Sequence, residues 1–213
     1  GDGTKVYVLD LKETRDAAFI RCDVSRYEEV QRAVREVAGK EGTLAGLFVA
    51  AGIHLFANIE QTTLDEFERV LAINLKGTFY LLKEILPIMR QQRRGAVVLM
   101  GSDQTFVGKG SSSVYGLTKA AIGQLTKSTA IDYAQFNVRI NCICPGTIDT
   151  PMLAPSVERF HTTSGMPVAD IYELLKKSQP MQRLGTPEEI AKVVRFLLSD
   201  ECPYMTGALV SVD

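Results

Sequence analysis

The sequence has no tryptophan, only two histidines and only four cysteines among 213 residues. Neither histidine has a Cys or another His at ligand spacing, so no zinc-type ligand set is offered. Cys22, Cys142, Cys144 and Cys202 contain no C-x-x-C pair, which argues against a dithiol redox motif or a disulfide framework. Cys142 and Cys144 stand two apart in a strand-like run and would face the same way, as buried free thiols. Nothing approaches the roughly 18 consecutive apolar residues of a membrane span. The opening GDGTKVYVLD lacks the basic-then-apolar layout of a secretory signal, so a cytoplasmic protein with no membrane partner is expected. Excess charge is missing too: 24 basic and 25 acidic residues give a net charge of -1, and no basic block marks a nucleic-acid partner.

What remains is an ordinary globular composition, 46% hydrophobic and 23% charged, in a length that favours one domain over residues 1–213. Lys5 to Leu9 and Ala18 to Cys22 read as short buried strands ending at Asp10 and Asp23. A helix over Arg26 to Val37 would bury Val30, Ala33, Val34 and Val37. Leu44 to Ala51 is a continuous apolar run ending at Gly52, the pattern of a central parallel strand covered on both faces. A long helix follows from Thr63 through Asn74 to Ile85, with Pro87 and Gly95 marking its end. Ala96 to Met100 is another strand, leading into a loop that carries Ser102. Serines 111 to 113 offer caps to a helix reaching about Tyr133, with Leu117, Ala121, Leu125 and Ala130 inward.

Val138 to Ile143 forms the next strand and ends at Pro145-Gly146. The segment from Thr150 to Pro180, with four prolines and one short helix near Ile171 to Lys177, breaks the rhythm and reads as a functional cover. Thr186-Pro187-Glu188-Glu189 starts a last helix, and Gly207 to Asp213 closes as a strand. Strands alternating with helices predict a three-layer α/β fold with a mostly parallel, doubly wound sheet. In such sheets ligands bind beyond the carboxyl ends of the strands, where Asp10, Asp23, Gly52, Ser102 and Pro145-Gly146 all fall.

Tyr115 and Lys119, four residues apart on one helix face, bring a phenol and an ammonium to the same place. Such pairs also arise by chance on solvated helices, so their surroundings decide. A tyrosine with an ordinary pKa near ~10 is a poor base at neutral pH, and a nearby ammonium favours its phenolate. Tyr115 could then exchange a proton with a substrate alcohol or carbonyl while Ser102 hydrogen-bonds the same oxygen. No side chain can carry a hydride, so that half of the chemistry calls for a nicotinamide.

Ser102, then Tyr115 thirteen residues on and Lys119 one turn further, with Asn74 in the preceding helix, resembles the active-site tetrad of the short-chain dehydrogenase/reductase family. The resemblance runs through Cys22-Asp23-Val24, Ala51-Gly52, Asn74-Leu75-Lys76-Gly77, Pro145-Gly146 and Thr147 to Thr150. It implies a Rossmann-type fold and hydride transfer between a nicotinamide cofactor and a small secondary alcohol or ketone. The four-residue Tyr/Lys spacing looks like the alcohol/ketone branch; the family's enoyl reductases space the pair more widely. It also implies that Lys119 holds the nicotinamide ribose, that Asn74 positions a relay water, and that Asp23 and Val24 meet the adenine. Ala51, Gly52, Pro145 and Gly146 are placed beside the cofactor, and Ile148 and Thr150 flank its carboxamide and phosphates. Asp10 would accept hydrogen bonds from the adenosine ribose and repel a 2'-phosphate, favouring NAD; Lys12 and Arg15 keep NADP open. Asp103, Phe106 and the 150–180 segment would shape the substrate pocket, and His161 is either a substrate contact or a surface histidine. Relatives commonly assemble as dimers or tetramers through the two long helices and the last strand.

Three features depart from the family pattern. The residues begin at about the second strand, without the first strand and its glycine-rich turn; Gly108-Lys109-Gly110 leads into the tyrosine helix and is rejected as that turn. Val49 stands where relatives carry asparagine, and the interval from Asp10 to Asp23 leaves little room for a helix. The missing glycine turn motivates a rival reading, a catalytically silent module that binds nucleotide or a protein partner; the intact tetrad argues against it.

Overall fold

A computed structural model describes residues 4–14 and 17–213. Two parallel strands come first, β1 (Tyr7–Asp10) and β2 (Ala18–Arg21), paired from Tyr7 opposite Ala18 to Asp10 opposite Arg21. Four more parallel strands form the main sheet in the order β3 (Gly46–Val49), β4 (Gly95–Met100), β5 (Val138–Pro145) and β6 (Leu209–Val212). The helices are α1 (Tyr27–Glu41), α2 (Leu64–Val70), α3 (Gly77–Gln92), α4 (Ser113–Ala134), α5 (Leu153–Ser164), α6 (Val168–Lys177) and α7 (Pro187–Leu198). A π-turn, Leu71–Lys76, joins α2 to α3 without a break. Among the described residues, no helix is long and apolar enough to cross a membrane.

Side-chain alternation along the central strands makes the layers. On β4, Val97 and Leu99 face one core with α1, α3 and α4, while Val98 faces a second core with Ile190, Val194 and Leu197 of α7. β5 repeats the division: Ile140, Cys142 and Cys144 lie on the first side and Ile143 on the second. The period of two thus clothes both faces of the sheet in helices, as expected of buried parallel strands. Ile20 and Cys22 of the first strand pair share the larger core with Val49 of β3, so the two sheets rest on one apolar layer. Val30, Ala33, Val34 and Val37 form the buried stripe of α1, as their spacing predicts.

Several expectations need correction. Among the described residues β3 pairs with β4, and Phe48 is 37% exposed. Pro87 does not end its helix; α3 runs on to Gln92, because the Lys83 carbonyl that loses its N–H partner lies on an exposed side. Leu117, placed inward by periodicity, is 50% exposed, and Thr118, Ile122, Thr126 and Ala130 fill the buried side of α4. The covering segment contains two helices rather than one. Pro155 falls in the first turn of α5, where its missing N–H breaks no helical hydrogen bond. Arg15 lies outside the described residues.

Leu99 is fully buried at the junction of β4 with the larger core. Leu99→Ala is expected to cost about 2–5 kcal/mol of stability by leaving a cavity, read as a lowered urea midpoint. A loss well under 1 kcal/mol would contradict this placement.

Candidate functional site

Asn74 sits inside the π-turn and is completely buried. Its Oδ1 accepts from Ile53 N (2.8 Å), and its Nδ2 donates to Ile53 O (3.0 Å) and Thr118 Oγ1 (3.2 Å). Thr78 donates its hydroxyl to the Asn74 carbonyl at 2.7 Å. One amide therefore ties the loop after β3 to α4, the helix that carries Tyr115 and Lys119. Single π-turns inside α-helices recur at functional positions, and this one turns the amide into the site. Gly52 lies against the same amide: a Cβ there would stand 3.3 Å from Asn74 Oδ1 and 3.8 Å from Lys119 Nζ.

Ser102 caps the short turn that leaves β4. Its Oγ accepts from Gln104 N (3.2 Å), and its N–H donates to Thr105 Oγ1 (3.1 Å), which in turn donates to Lys119 O (3.2 Å). The capping box thus locks the serine to the tyrosine helix. Ser102 Oγ donates to Asp103 Oδ1 (2.8 Å), and the second Asp103 oxygen is ion-paired with Lys109. Lys119 is buried, donates to Met100 O (2.8 Å) and holds its ammonium 5.5 Å from the centre of the Tyr115 ring.

The electrostatics differ from the sequence-based expectation. Burial pushes the Tyr115 phenol up to about 12, the Ser102 hydroxyl offsets part of that, and the Asp103 charge adds to it. Burial likewise lowers Lys119 to about 8. Desolvation penalises both charged forms at once, so the ammonium does not convert the phenol into a ready base here. At neutral pH the tyrosine carries its proton.

The sequence reading missed His54. Its ring packs edge-on against Tyr115 with centroids 4.5 Å apart, and its Nδ1 lies 2.7 Å from Ser156 Oγ of α5. Nε2 is 3.4 Å from Ser112 Oγ, so that serine faces the histidine and gives no side-chain cap to α4. No periodicity marks a histidine that stands two residues after an Ala-Gly turn. His161, the candidate from the covering segment, instead places Nδ1 2.7 Å from Met166 O and closes the turn between α5 and α6.

The remaining sequence candidates lie along the strand ends. Asp10 ends β1 and accepts from Lys12 N at 3.0 Å. Asp23 accepts from the Ser25 hydroxyl (2.7 Å) and amide (2.9 Å), and the hydroxyl's bond is the leading cause of its lowered pKa. A groove of about 450 Å³ opens beside it, lined by Leu11, Asp23, Ser25, Glu68, Arg69, Ala72 and Ile73. Val24 points its side chain into the core against Gly77, so only its backbone can meet a ligand. Ala51 is half-buried and packs on that core. Pro145 ends β5, and Gly146 is crossed by Gln179, whose Oε1 would lie 2.2 Å from a Cβ at that position. Gln179 also accepts from Thr147 N at 3.0 Å, a contact that sequence reasoning missed. Ile148 bridges Gly185 through its neighbours, which leaves its own amide on the opposite side, and Thr150 accepts from Leu153 N at 3.0 Å before α5.

Parallel strands between two helical layers, with hydroxyls, a lysine and an asparagine converging beyond the strand ends, define a Rossmann-type enzyme class. The sequence model of the family described as Enoyl-(Acyl carrier protein) reductase matches residues 2–213. Levodione reductase of Leifsonia aquatica is 34% identical over all of this chain and 79% of its own length. Ligand-free aldohexose dehydrogenase of Thermoplasma acidophilum superposes with a TM-score of 0.92 at 32% identity, over 100% of this chain and 84% of that one. NAD+-bound xylitol dehydrogenase gives 0.91 at 31% identity, over 99% and 88%. The chain belongs to the short-chain dehydrogenase/reductase family and is a nicotinamide-dependent oxidoreductase of that type.

His54 supplies a pH test of this geometry. Burial first, then the Lys109 and Lys119 charges, push its pKa from 6.5 down to about 4, with Asp103 opposing. Between those values the unfolded chain binds the proton and the folded chain does not, so stability falls as pH drops from about 6.5 to about 4. Relative to His54→Gln, the wild type is expected to lose about 3 kcal/mol more over that window, measured by urea unfolding at each pH. Parallel curves would place His54 in solvent.

Proposed function

We propose that the protein interconverts a small secondary alcohol and its ketone, with Tyr115 as general acid and base. The observation that carries this is the convergence of Ser102, from the turn after β4, with Tyr115 and Lys119 of α4. The Ser102 hydroxyl acts on the Tyr115 phenol, and two neighbouring hydroxyls would suit a substrate oxygen that gains or loses a proton. Reduction of a carbon–carbon double bond would instead need a proton at carbon, so the alcohol/ketone reading is favoured over an enoyl one. Bound nicotinamide would supply or accept the hydride.

The residues fit that cofactor. Gly52 keeps the space beside Asn74 Oδ1 and Lys119 Nζ clear of a side chain. Lys119 has donors beyond its bond to Met100 O for the nicotinamide ribose, and Ile148 turns its amide away from the Gly185 bridge toward a carboxamide. Pro145, Gly146 and Thr150 would line that end, with Ala51 beside Gly52. At the other end the groove beside Asp23 takes the adenine against Asp23 and the Val24 backbone. Asp10 would receive the ribose hydroxyls and disfavour a 2'-phosphate, giving NAD preference.

Tyr115 protonated at neutral pH is set to give a proton to the nascent alkoxide in reduction. Lys119 positions the ribose and tyrosine, and Asn74 holds the loop and helix that face them. The exposed Phe79 of α3 and Leu117 and Ile131 of α4, the last 78% exposed, support self-association through these helices.

Tyr115→Phe is expected to cut turnover by about 10²–10⁴-fold while dinucleotide binding, titrated by fluorescence, stays within about twofold. Unchanged turnover would sink the acid/base role; absence of saturable binding by the wild type would favour the silent binding module. In the same assay NAD should give the higher kcat/KM, and an advantage for NADP would assign Lys12 rather than Asp10 to the ribose. Sedimentation is expected to show a dimer or tetramer, and a stable monomer at micromolar concentration would remove the self-association proposal.

A further inference from the structure

The wall around Tyr115 is polar on two sides. On one, the Ser102 hydroxyl leads to the Asp103 carboxylate, whose far oxygen is ion-paired with Lys109; these two side chains are 17% and 40% exposed. On the other, His54 lies against the Tyr115 ring and reaches the hydroxyls of Ser156 and Ser112. Phe56 and Phe160 pack edge to face on each other at 5.2 Å.

An apolar alcohol seated against Ser102 would strip water from the Asp103–Lys109 pair and give nothing back. Removing water from a charged group costs several kcal/mol unless its hydrogen bonds are replaced, and from a neutral one about 1–3 kcal/mol. A hydroxyl on the carbon next to the reacting one can replace them: its O–H meets Asp103 and its oxygen can accept from Lys109. Asp103, an acceptor only, would oppose a carboxylate at the same place.

We propose that the substrate is a neutral vicinal diol or the matching α-hydroxyketone, with Asp103, paired to Lys109 and bonded to Ser102, reading the second hydroxyl. This rests on the alcohol/ketone reading above. The reaction balances as that reading requires: in reduction the reduced cofactor gives a hydride to the carbonyl carbon and the protonated Tyr115 gives its proton to the oxygen, and oxidation reverses both from the tyrosinate. The second hydroxyl keeps all its bonds.

The test compares butane-2,3-diol with butan-2-ol in oxidation, and 3-hydroxybutan-2-one with butan-2-one in reduction, using wild type and Asp103→Leu. Wild type is expected to favour the hydroxylated member by on the order of 10²-fold in kcat/KM, and Asp103→Leu to reduce that ratio at least about tenfold. Asp103→Asn, which keeps shape and loses charge, serves as the second variant, with folding checked by circular dichroism. A wild-type ratio near one, or an unchanged ratio in both variants, overturns the assignment while leaving the dehydrogenase reading standing. Turnover of none of the four compounds, with saturable dinucleotide binding, overturns both.

Discussion

Asn74 is the point on which the site depends. Its amide offers acceptors on one atom and two donors on the other, and in a fully buried position each needs a partner. Ile53 takes one of each and Thr118 takes the remaining donor, so the loop beyond β3 and the helix of the acid/base pair cannot drift apart without stranding polar groups. The π-turn widens the helix at this point, and the Thr78 hydroxyl donates to the Asn74 carbonyl as well. Gly52 follows from the same clamp, because a side chain there would press on Asn74 Oδ1 and approach Lys119 Nζ.

A clamp this well buried sets the charge state of what it holds. Tyr115 and Lys119 are brought together by their spacing, yet both lose water in doing so, and the loss moves their pKa values in the directions that remove charge. Proximity of an ammonium is a smaller effect than withdrawal of both groups from solvent. The fold therefore presents a protonated phenol beside a lysine close to its titration range, so the resting site already holds the proton that reduction of a carbonyl requires.

Sequence pattern and structure agree where one strong period governs and part where two constraints compete. The apolar stripe of α1 and the alternation of β4 were legible because each residue there answers only to burial. Leu117 was misplaced because α4 carries apolar residues on more than one face. The Ser102, Tyr115 and Lys119 spacing was legible because strand end, turn and helix face fix where those side chains go. His54 and Gln179 were not, since each acts through a loop closure that brings distant segments together: 54 against 156 and 179 against 147. The π-turn leaves no residue signature at all.

Ser102 connects the chemistry to the choice of substrate. Its oxygen accepts from Gln104 N, and its single proton goes to Asp103. To donate to a substrate oxygen as charge builds there, the serine must turn that proton away from the carboxylate, leaving a partly buried charge with one partner fewer. A hydroxyl on the neighbouring carbon, donating to Asp103, would compensate at the moment the serine turns. The same second hydroxyl that gives Asp103 its reason in recognition would thus release Ser102 for its part in the reaction, so binding and chemistry would draw on one hydrogen-bond exchange.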